Sequence, residues 1–446
     1  MSHKKCPFSH LQDPRGPKGW PIVHSFPAVL RDVLAFLKDL RAQYGDIAEY
    51  KVVGIRHYLV SHPDDITQVY KAEKQGHLTK LLFHKALYPY FGNGLFNSKG
   101  KDWEQQRKQL QPFFSKTKLP AWFALVVQEA QNRFDSLDKQ ATELQAQAVM
   151  QPLMQSIMSR ILFGLQLEDQ AAKEAIAAIE GVNERIASHA LQSFVFNGIF
   201  NKLPTPANLR YKQQLQTIDT SISNISASSK AKEEGALLPL FAEFMTAKEL
   251  RDQLFTLYFA GQDTTVTTLT WVLYYLAEHP EYQQRARQEV LEYWPTQAQV
   301  ELESLDKFEF LNACIDEAMR LAPVAYLTYR DITNPLQLGA YRLQKKAILI
   351  LSMYVTHRHP DFWDNPSEYQ PERFLHRNNK GFAFFPYGGG MRMCIGMHLA
   401  RMEITTIMAL FLTRYKFTLK PDTQVQPVTY LTLKPKDGVS LLVQVL

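Results

Sequence analysis

Phe385-Pro386-Tyr387-Gly388-Gly389-Gly390-Met391-Arg392-Met393-Cys394-Ile395-Gly396 is the stretch on which the reading of this chain turns. It sets one cysteine in a glycine-dense loop, two residues after an arginine and just before the apolar, helix-like segment Ile395 to Phe411. Consecutive glycines permit backbone angles that other residues resist, and they let the chain lie against a flat ligand with no side chain in the way. Backbone N–H groups at the entrance of a helix favour a thiolate over a thiol. A thiolate held in that way can be an axial ligand to haem iron.

Around Cys394 stand an aromatic residue seven positions before, a glycine four before, a basic residue two before and a glycine two after: Tyr387, Gly390, Arg392 and Gly396. This set resembles the haem-binding signature of the cytochrome P450 superfamily. A cysteine taken alone is more often a small buried hydrophobe; four matched neighbours argue for ligation. The resemblance implies that Cys394 binds the iron of haem b, with Tyr387, Gly388, Arg392, Gly396 and Ala400 lining the cofactor. The family usually has phenylalanine where this chain has Tyr387, which implies altered hydrogen bonding beside the iron–sulfur bond.

Outward from the loop, the chain has 446 residues, 46% of them hydrophobic, enough for a large core. No Ser/Gly linker, repeat or low-complexity tract divides it, so one large domain over 1–446 is expected. The 50 basic and 44 acidic residues leave a net +6, too mild and too scattered to argue for nucleic acid. Cys6, Cys314 and Cys394 offer no disulfide framework, which suits a reducing, cytoplasmic setting. Met1 to Phe26 lacks an apolar core of the signal-peptide kind. Asp13 to Pro21 resembles the hinge that follows the membrane anchor of microsomal relatives, but no anchor is expected before it here. Pro27 to Tyr44 is amphipathic and reads as a helix packed on the protein's own core.

The pattern along the chain is mainly α with small β-sheets. Ile47 to Val53 and His57 to Ser61, separated by Gly54, read as a hairpin. A β-rich part is expected near 45–62 and 325–355 and in the C-terminal strands, and an α-rich part at about 103–320 and 395–412. Asn201 to Asn208 and Ser226 to Gly235 read as loops, and Ala347 to Ser352 as a strand.

A helix is predicted from Ala247 to His279, opened by the capping-box pair Thr246 and Glu249 and closed by Pro280. Its middle, Ala260-Gly261-Gln262-Asp263-Thr264-Thr265, is poor helix material, because glycine is unfavourable by about 1 kcal/mol relative to alanine and threonines bond back to helix carbonyls. A local opening at the centre is therefore expected. A membrane span over Leu254 to Leu276 is disfavoured by the central aspartate, at roughly 2.5–3.5 kcal/mol. The stretch resembles the acid–alcohol motif of the superfamily's oxygen-activating helix. By that resemblance Ala260 and Gly261 leave room for dioxygen, Thr264 hydrogen-bonds it, and Asp263 relays protons through water.

Glu317 and Arg320 stand at i and i+3, a pair that is ordinarily a surface feature. In this chain they resemble the superfamily's E-x-x-R motif, and Arg373 in Pro371-Glu372-Arg373-Phe374 resembles its downstream partner. The resemblance implies a buried structural network that holds the cysteine loop. Trp103 and Arg107, at i and i+4, project from one helix face with Asp102 as a plausible N-cap. They are donor-only groups suited to a carboxylate and resemble the W-x-x-x-R motif that binds a haem propionate. Arg330 resembles a further propionate-binding arginine, and Arg392 would be another.

By position, Phe83 and Leu87 belong to the variable loop that roofs the distal side. Phe259, Ala260, Val324, Ala325, Tyr326 and Leu327 would line the space above the haem, and Leu431 sits at the tip of a substrate-contacting hairpin. These residues are mainly apolar, as most small-molecule pockets are, and imply a lipophilic substrate. The expectation is a soluble, bacterial-type monooxygenase converting R–H, O2, two electrons and two protons into R–OH and water. No reductase is expected to be fused after the cysteine, so electrons would come from NAD(P)H through a ferredoxin or flavodoxin with its reductase. No transmembrane anchor and a monomeric state are expected. A hydrogen-peroxide-dependent peroxygenase on the same fold is the first rival, and Asp263 and Thr264 argue against it. A non-catalytic haem-binding or sensing protein is the second.

Overall fold

A computed structural model of the chain describes residues 11–21, 24–80, 87–88, 90–137, 142–167, 169–195, 203–227, 235–295, 300–375 and 381–446. The architecture is mainly helical with small sheets, as the patterning predicts. The chain packs as two compact units. One comprises Met1–Leu82, Arg320–Tyr369 and Arg377–Cys394, the other Phe83–Met319, Gln370–His376 and Ile395–Leu446.

The first unit is built on a five-stranded sheet in the order Ile47–Val52, Ile55–Val60, Ile348–Leu351, Thr328–Ile332, Leu78–Thr79. The opening hairpin has Ile47 opposite Val60. Its two-residue turn places Val53 at φ +46° and Gly54 at φ +78°, the left-handed pair that matches the twist of flanking strands. Ile55–Val60 then runs parallel to Ile348–Leu351, while the remaining pairs are antiparallel. Tyr58, Val60, Ile66, Val69, Leu349, Leu351 and Phe385 share one core, so the helix Pro63–Lys74 and the start of the cysteine loop close on the sheet. The amphipathic N-terminal stretch is two helices rather than one, Phe26–Arg31 and Val33–Tyr44. Asp32 breaks it by going extended and accepting the Ala35 N–H at 2.9 Å, a capping bond that an aspartate favours over helix continuation.

The second unit is helical. Ala247–Glu278 packs against Ala146–Phe163 and against Met397–Arg414. Its start carries the full reciprocal cap: Glu249 N–H donates to Thr246 Oγ1 at 3.3 Å and Thr246 N–H to Glu249 Oε2 at 2.9 Å. The expected opening at its centre is absent, and the helix runs unbroken for 32 residues. Two loop expectations shift. A helix already begins at Pro206, where proline suits the first turn, and it continues to Ala227; residues 201–202 and 228–234 lie outside the described residues. A three-stranded antiparallel sheet, Glu143–Gln145, Ser440–Val445 and Tyr415–Leu419, and the hairpin Pro427–Thr429 with Leu433–Pro435 complete the unit. Among the described residues, no helix is long and apolar enough to cross a membrane.

Candidate active site

In the first unit the cysteine loop is shaped by backbone and glycine. Cys394 N–H donates to Tyr387 O at 3.0 Å and Gly388 N–H to Phe385 O at 2.9 Å. Phe385 N–H in turn donates to Nε2 of the buried His357 at 3.0 Å. Gly388 and Gly390 lie at φ +72° and +63°. A Cβ on Gly389 would stand 2.7 Å from the Tyr70 ring and one on Gly390 2.5 Å from it, so these two positions admit nothing larger. The loop leads to the helix Met397–Arg414, capped at Gly396, where Ala400 N–H closes the first turn on Gly396 O at 2.8 Å. Cys394 itself is exposed.

Cations gather beside this loop. Burial, and then the charges of Arg330 and Arg392, push the Lys80 ammonium down to about 7, with Glu73 acting in the opposite sense. Like charges brought this close call for carboxylates. An exposed thiol on a glycine-bare loop beside such a cluster fits a planar, iron-bearing group with two carboxylates, which is haem. Arg330, however, is already committed: Nε and Nη2 donate to Glu73 Oε1 and Oε2 at 2.5 and 3.2 Å, and Nη1 donates to Thr328 Oγ1 and Tyr329 O. Lys80 and Glu73 were not singled out in the sequence, because a lysine in a polar stretch and a glutamate near a helix end have no distinguishing pattern. Val324 is buried, Tyr326 and Leu327 are half-buried and Ala325 is exposed; they lead into the strand Thr328–Ile332 that carries Arg330.

The helix Glu309–Leu321 carries Glu317 and Arg320, and both are completely buried. Arg320 donates to the carbonyls of His357, Pro366 and Glu368 at 2.7–2.9 Å and lies over the Trp363 ring. In the second unit, Glu317 pairs with Arg373 at 3.3 Å and accepts the Gln370 N–H at 2.9 Å. These side chains brace backbone that leads to the cysteine loop.

The long helix of the second unit has a distinctive centre. Ala260 is exposed, and Phe259, Gly261, Asp263 and Thr264 are half-buried. The residues Thr256 to Tyr258 before them and Thr265 to Val272 after them are buried. The accessible patch therefore falls on the acid–alcohol stretch. Thr264 Oγ1 donates to Ala260 O at 2.5 Å, and Thr268 and Thr270 bond back in the same way. This keeps the helix closed where its composition is weak. Asp263 Oδ2 accepts from Thr432 Oγ1 at 2.9 Å and Oδ1 pairs with Lys434, both from the hairpin whose tip carries Leu431. A Cβ on Gly261 would meet the end of the Met158 side chain at 2.7 Å, so the two helices pack closely here. Phe259 packs on the ring of Phe91, which also meets Phe96 and Phe255; Leu87 is buried, and Phe83 lies outside the described residues.

Trp103 and Arg107 lie on the helix Gly100–Leu110, the first buried and the second half-buried. The helix is capped at Lys99 rather than at Asp102, which instead accepts from Asn93 Nδ2 at 3.3 Å. One buried acid also escaped the sequence reading. Glu403, in the apolar helix Met397–Arg414, has its carboxyl pushed up to about 8 by burial, against a bond from Thr265 Oγ1 at 3.4 Å.

A family model described as cytochrome P450 matches residues 14–443. The chain is 29% identical over 426 residues to cyclooctat-9-en-7-ol 5-monooxygenase of Streptomyces melanosporofaciens, covering 91% of this chain and 90% of that protein. It is 26% identical over 443 residues to pentalenene oxygenase of Streptomyces avermitilis, covering 94% of each. Among solved structures, the heme domain of cytochrome P450DA superposes with a TM-score of 0.82 at 21% identity, covering 98% of both chains. The braced cysteine loop, the cations beside it and the match across almost the whole sequence lead to one conclusion: the chain belongs to the cytochrome P450 family of oxidoreductases.

Proposed function

We propose that this chain is a haem-thiolate monooxygenase that inserts one atom of O2 into a lipophilic small molecule, using electrons delivered by a separate redox protein. The observation that carries the reading is the cysteine loop, with its thiol exposed and its backbone pinned by the Cys394 to Tyr387 bond and by two glycines against Tyr70. Haem b, when bound, supplies the reductive activation of dioxygen and the transfer of one oxygen atom. Cys394 would hold its iron through the thiolate. Arg392, Trp103 and Arg107 would hold its carboxylates, since each is a donor without acceptor capacity, and Lys80 would join them when the approach of a carboxylate favours its charged form. Arg330 would contribute little beyond charge, because its protein partners engage four of its N–H groups.

Asp263 and Thr264 would manage protons. The Thr264 hydroxyl, closed on Ala260 O, still has acceptor lone pairs for water and donates elsewhere on rotation. Asp263 is held by Thr432 and Lys434 at a helix position that solvent reaches. Misplaced water at this patch would divert electrons to peroxide, so fixing these two side chains serves coupling.

The accessible rings of Phe259 and Phe96, backed by the buried rings of Phe91 and Phe255, offer an apolar wall. Two relatives are named for an unsaturated alcohol and an unsaturated hydrocarbon, and a carbon-rich, unsaturated substrate suits this wall as well. A ferredoxin or flavodoxin with an NAD(P)H-dependent reductase would supply electrons.

The test is spectroscopic. The reduced carbon monoxide complex should absorb where thiolate-ligated haem does. Cys394→Ser should lose that band, while Cys6→Ser and Cys314→Ser keep it. Loss of the band in Cys314→Ser with retention in Cys394→Ser would overturn the assignment.

A further inference from the structure

The helix Pro63–Lys74 presents Tyr70 and Glu73, three residues apart on one buried face, to the glycines of the cysteine loop. Tyr70 packs against Gly389 and Gly390, and its ring meets that of Phe382 at 4.9 Å in a tilted arrangement. Glu73 Oε2 lies so near that a Cβ on Gly390 would come within 3.3 Å of it. The same carboxylate takes Arg330 in a fork, at 2.5 and 3.2 Å, and the guanidinium lies 6.0 Å from the centre of the Tyr70 ring. Arg330 is only 2% exposed and Glu73 6%. A buried, two-pronged pair of this kind holds its partners more tightly than a single contact, and removing one member strands the other charge.

We propose that Glu73 is a positioning residue for the thiolate: it occupies the carboxylate-binding face of Arg330 as an internal anion, and through Gly390 it sets both the seat of the Cys394 loop and the local charge. Arg330 is on this view a brace for the loop rather than a principal anchor of the cofactor's carboxylates. The inference rests on the haem-thiolate reading above and adds a residue to it. Its electrostatic consequence has a definite sign. A fixed negative charge beside a redox centre opposes the uptake of an electron, so it holds the reduction potential down.

The experiment uses holoprotein and compares wild type with Glu73→Asp, Glu73→Gln, and Glu73→Gln combined with Arg330→Gln. Two quantities are measured: the haem reduction potential, and the rate at which the thiolate-type band of the reduced carbon monoxide complex decays. Glu73→Gln should raise the potential and speed the decay several-fold. Glu73→Asp should stay near wild type on potential because its charge remains. The double variant, with both charges gone, should bring the potential back toward wild type and slow the decay again. If Glu73→Gln yields no folded protein while the double variant folds, the stranded Arg330 is exposed as the cause and the pairing stands. A Glu73→Gln holoprotein with wild-type potential and decay would sink the proposal. So would a raised potential that the double variant leaves in place. If wild type itself lacks the thiolate-type band, the haem-thiolate reading fails first. If it has the band and the Glu73 variants match it, this inference alone fails.

Discussion

The cysteine loop and the centre of the long helix are both built around glycine and a reactive side chain, yet they are held by opposite means. The loop is fixed from outside. Tyr70 and Phe382 press on its glycines, His357 holds Phe385, and Arg320 ties down three carbonyls of the chain that leads to it. The helix centre is held from within, by threonine hydroxyls that return to their own carbonyls, and from one hairpin through Thr432 and Lys434. On the proposed function, a ligand to a metal has to keep its place through turnover, whereas a proton-handling pair has to make and break bonds within it. The difference then teaches that braces of the loop should bear on folding, while residues of the helix centre should bear on coupling.

The largest effect should come from the braces. Arg320→Ala removes a completely buried guanidinium and the donor to three carbonyls, and Glu317→Ala removes a completely buried carboxylate from Arg373 and the Gln370 N–H; each should cost about 3–5 kcal/mol. Little or no holoprotein is expected, checked by haem content of purified protein and by thermal unfolding. Folded, haem-loaded Arg320→Ala would break the distinction at its strongest point.

A pH series on Glu403 sharpens the other side. The folded state keeps its proton up to about 8, whereas an unfolded glutamate ionises near 4.5. Between those values the unfolded chain binds fewer protons, so the group lowers stability progressively as pH rises. Glu403→Gln should therefore gain on wild type from pH 5 to pH 8, by roughly a few kcal/mol at most, and the gain should level off above that. Melting temperatures of the two proteins across the range measure it. A constant gap would mean that Glu403 does not titrate as its burial dictates.

Carboxylate anchoring is next. Arg107→Ala should lose one charge-assisted bond, about 1.5–3 kcal/mol, giving partial haem depletion with the axial ligand unchanged. Unaltered haem content and release rate in both Arg107→Ala and Trp103→Phe would remove the pair from cofactor binding. The smallest effect on stability, less than about 1 kcal/mol, is expected for Thr264→Ala at its half-buried site. Its mark should be kinetic: product per NADH falls while peroxide rises. Wild-type coupling in this variant would leave the helix centre a structural element and revive the peroxide-driven alternative.

What the sequence discloses follows from the range of the forces involved. The capping box at Thr246 and Glu249, the hairpin around Gly54 and the glycine loop are local, and each was legible, although Val53 reads as strand and stands in the turn. The cap at Asp32 was local too, but an amphipathic pattern running across it hid the break. The partners of Asp263 and Glu73 lie 171 and 257 residues away in Lys434 and Arg330, and no spacing rule connects them. Gly261 shows the same limit: the neighbour a side chain there would meet, the end of Met158, comes from a helix remote in sequence.

The parallel pairing of Ile55–Val60 with Ile348–Leu351 bears on how the protein is made. Tyr58, Leu59 and Val60 end with no exposed surface at all, yet the strand that covers one edge of theirs leaves the ribosome roughly 290 residues later. At synthesis rates of about 5–20 residues per second, the nascent hairpin waits some 15–60 s with an apolar edge unpaired. For that interval the growing chain depends on chaperones or on its own early helices to shield it. Chains released from the ribosome before residue 348 should therefore aggregate more readily than the full-length chain.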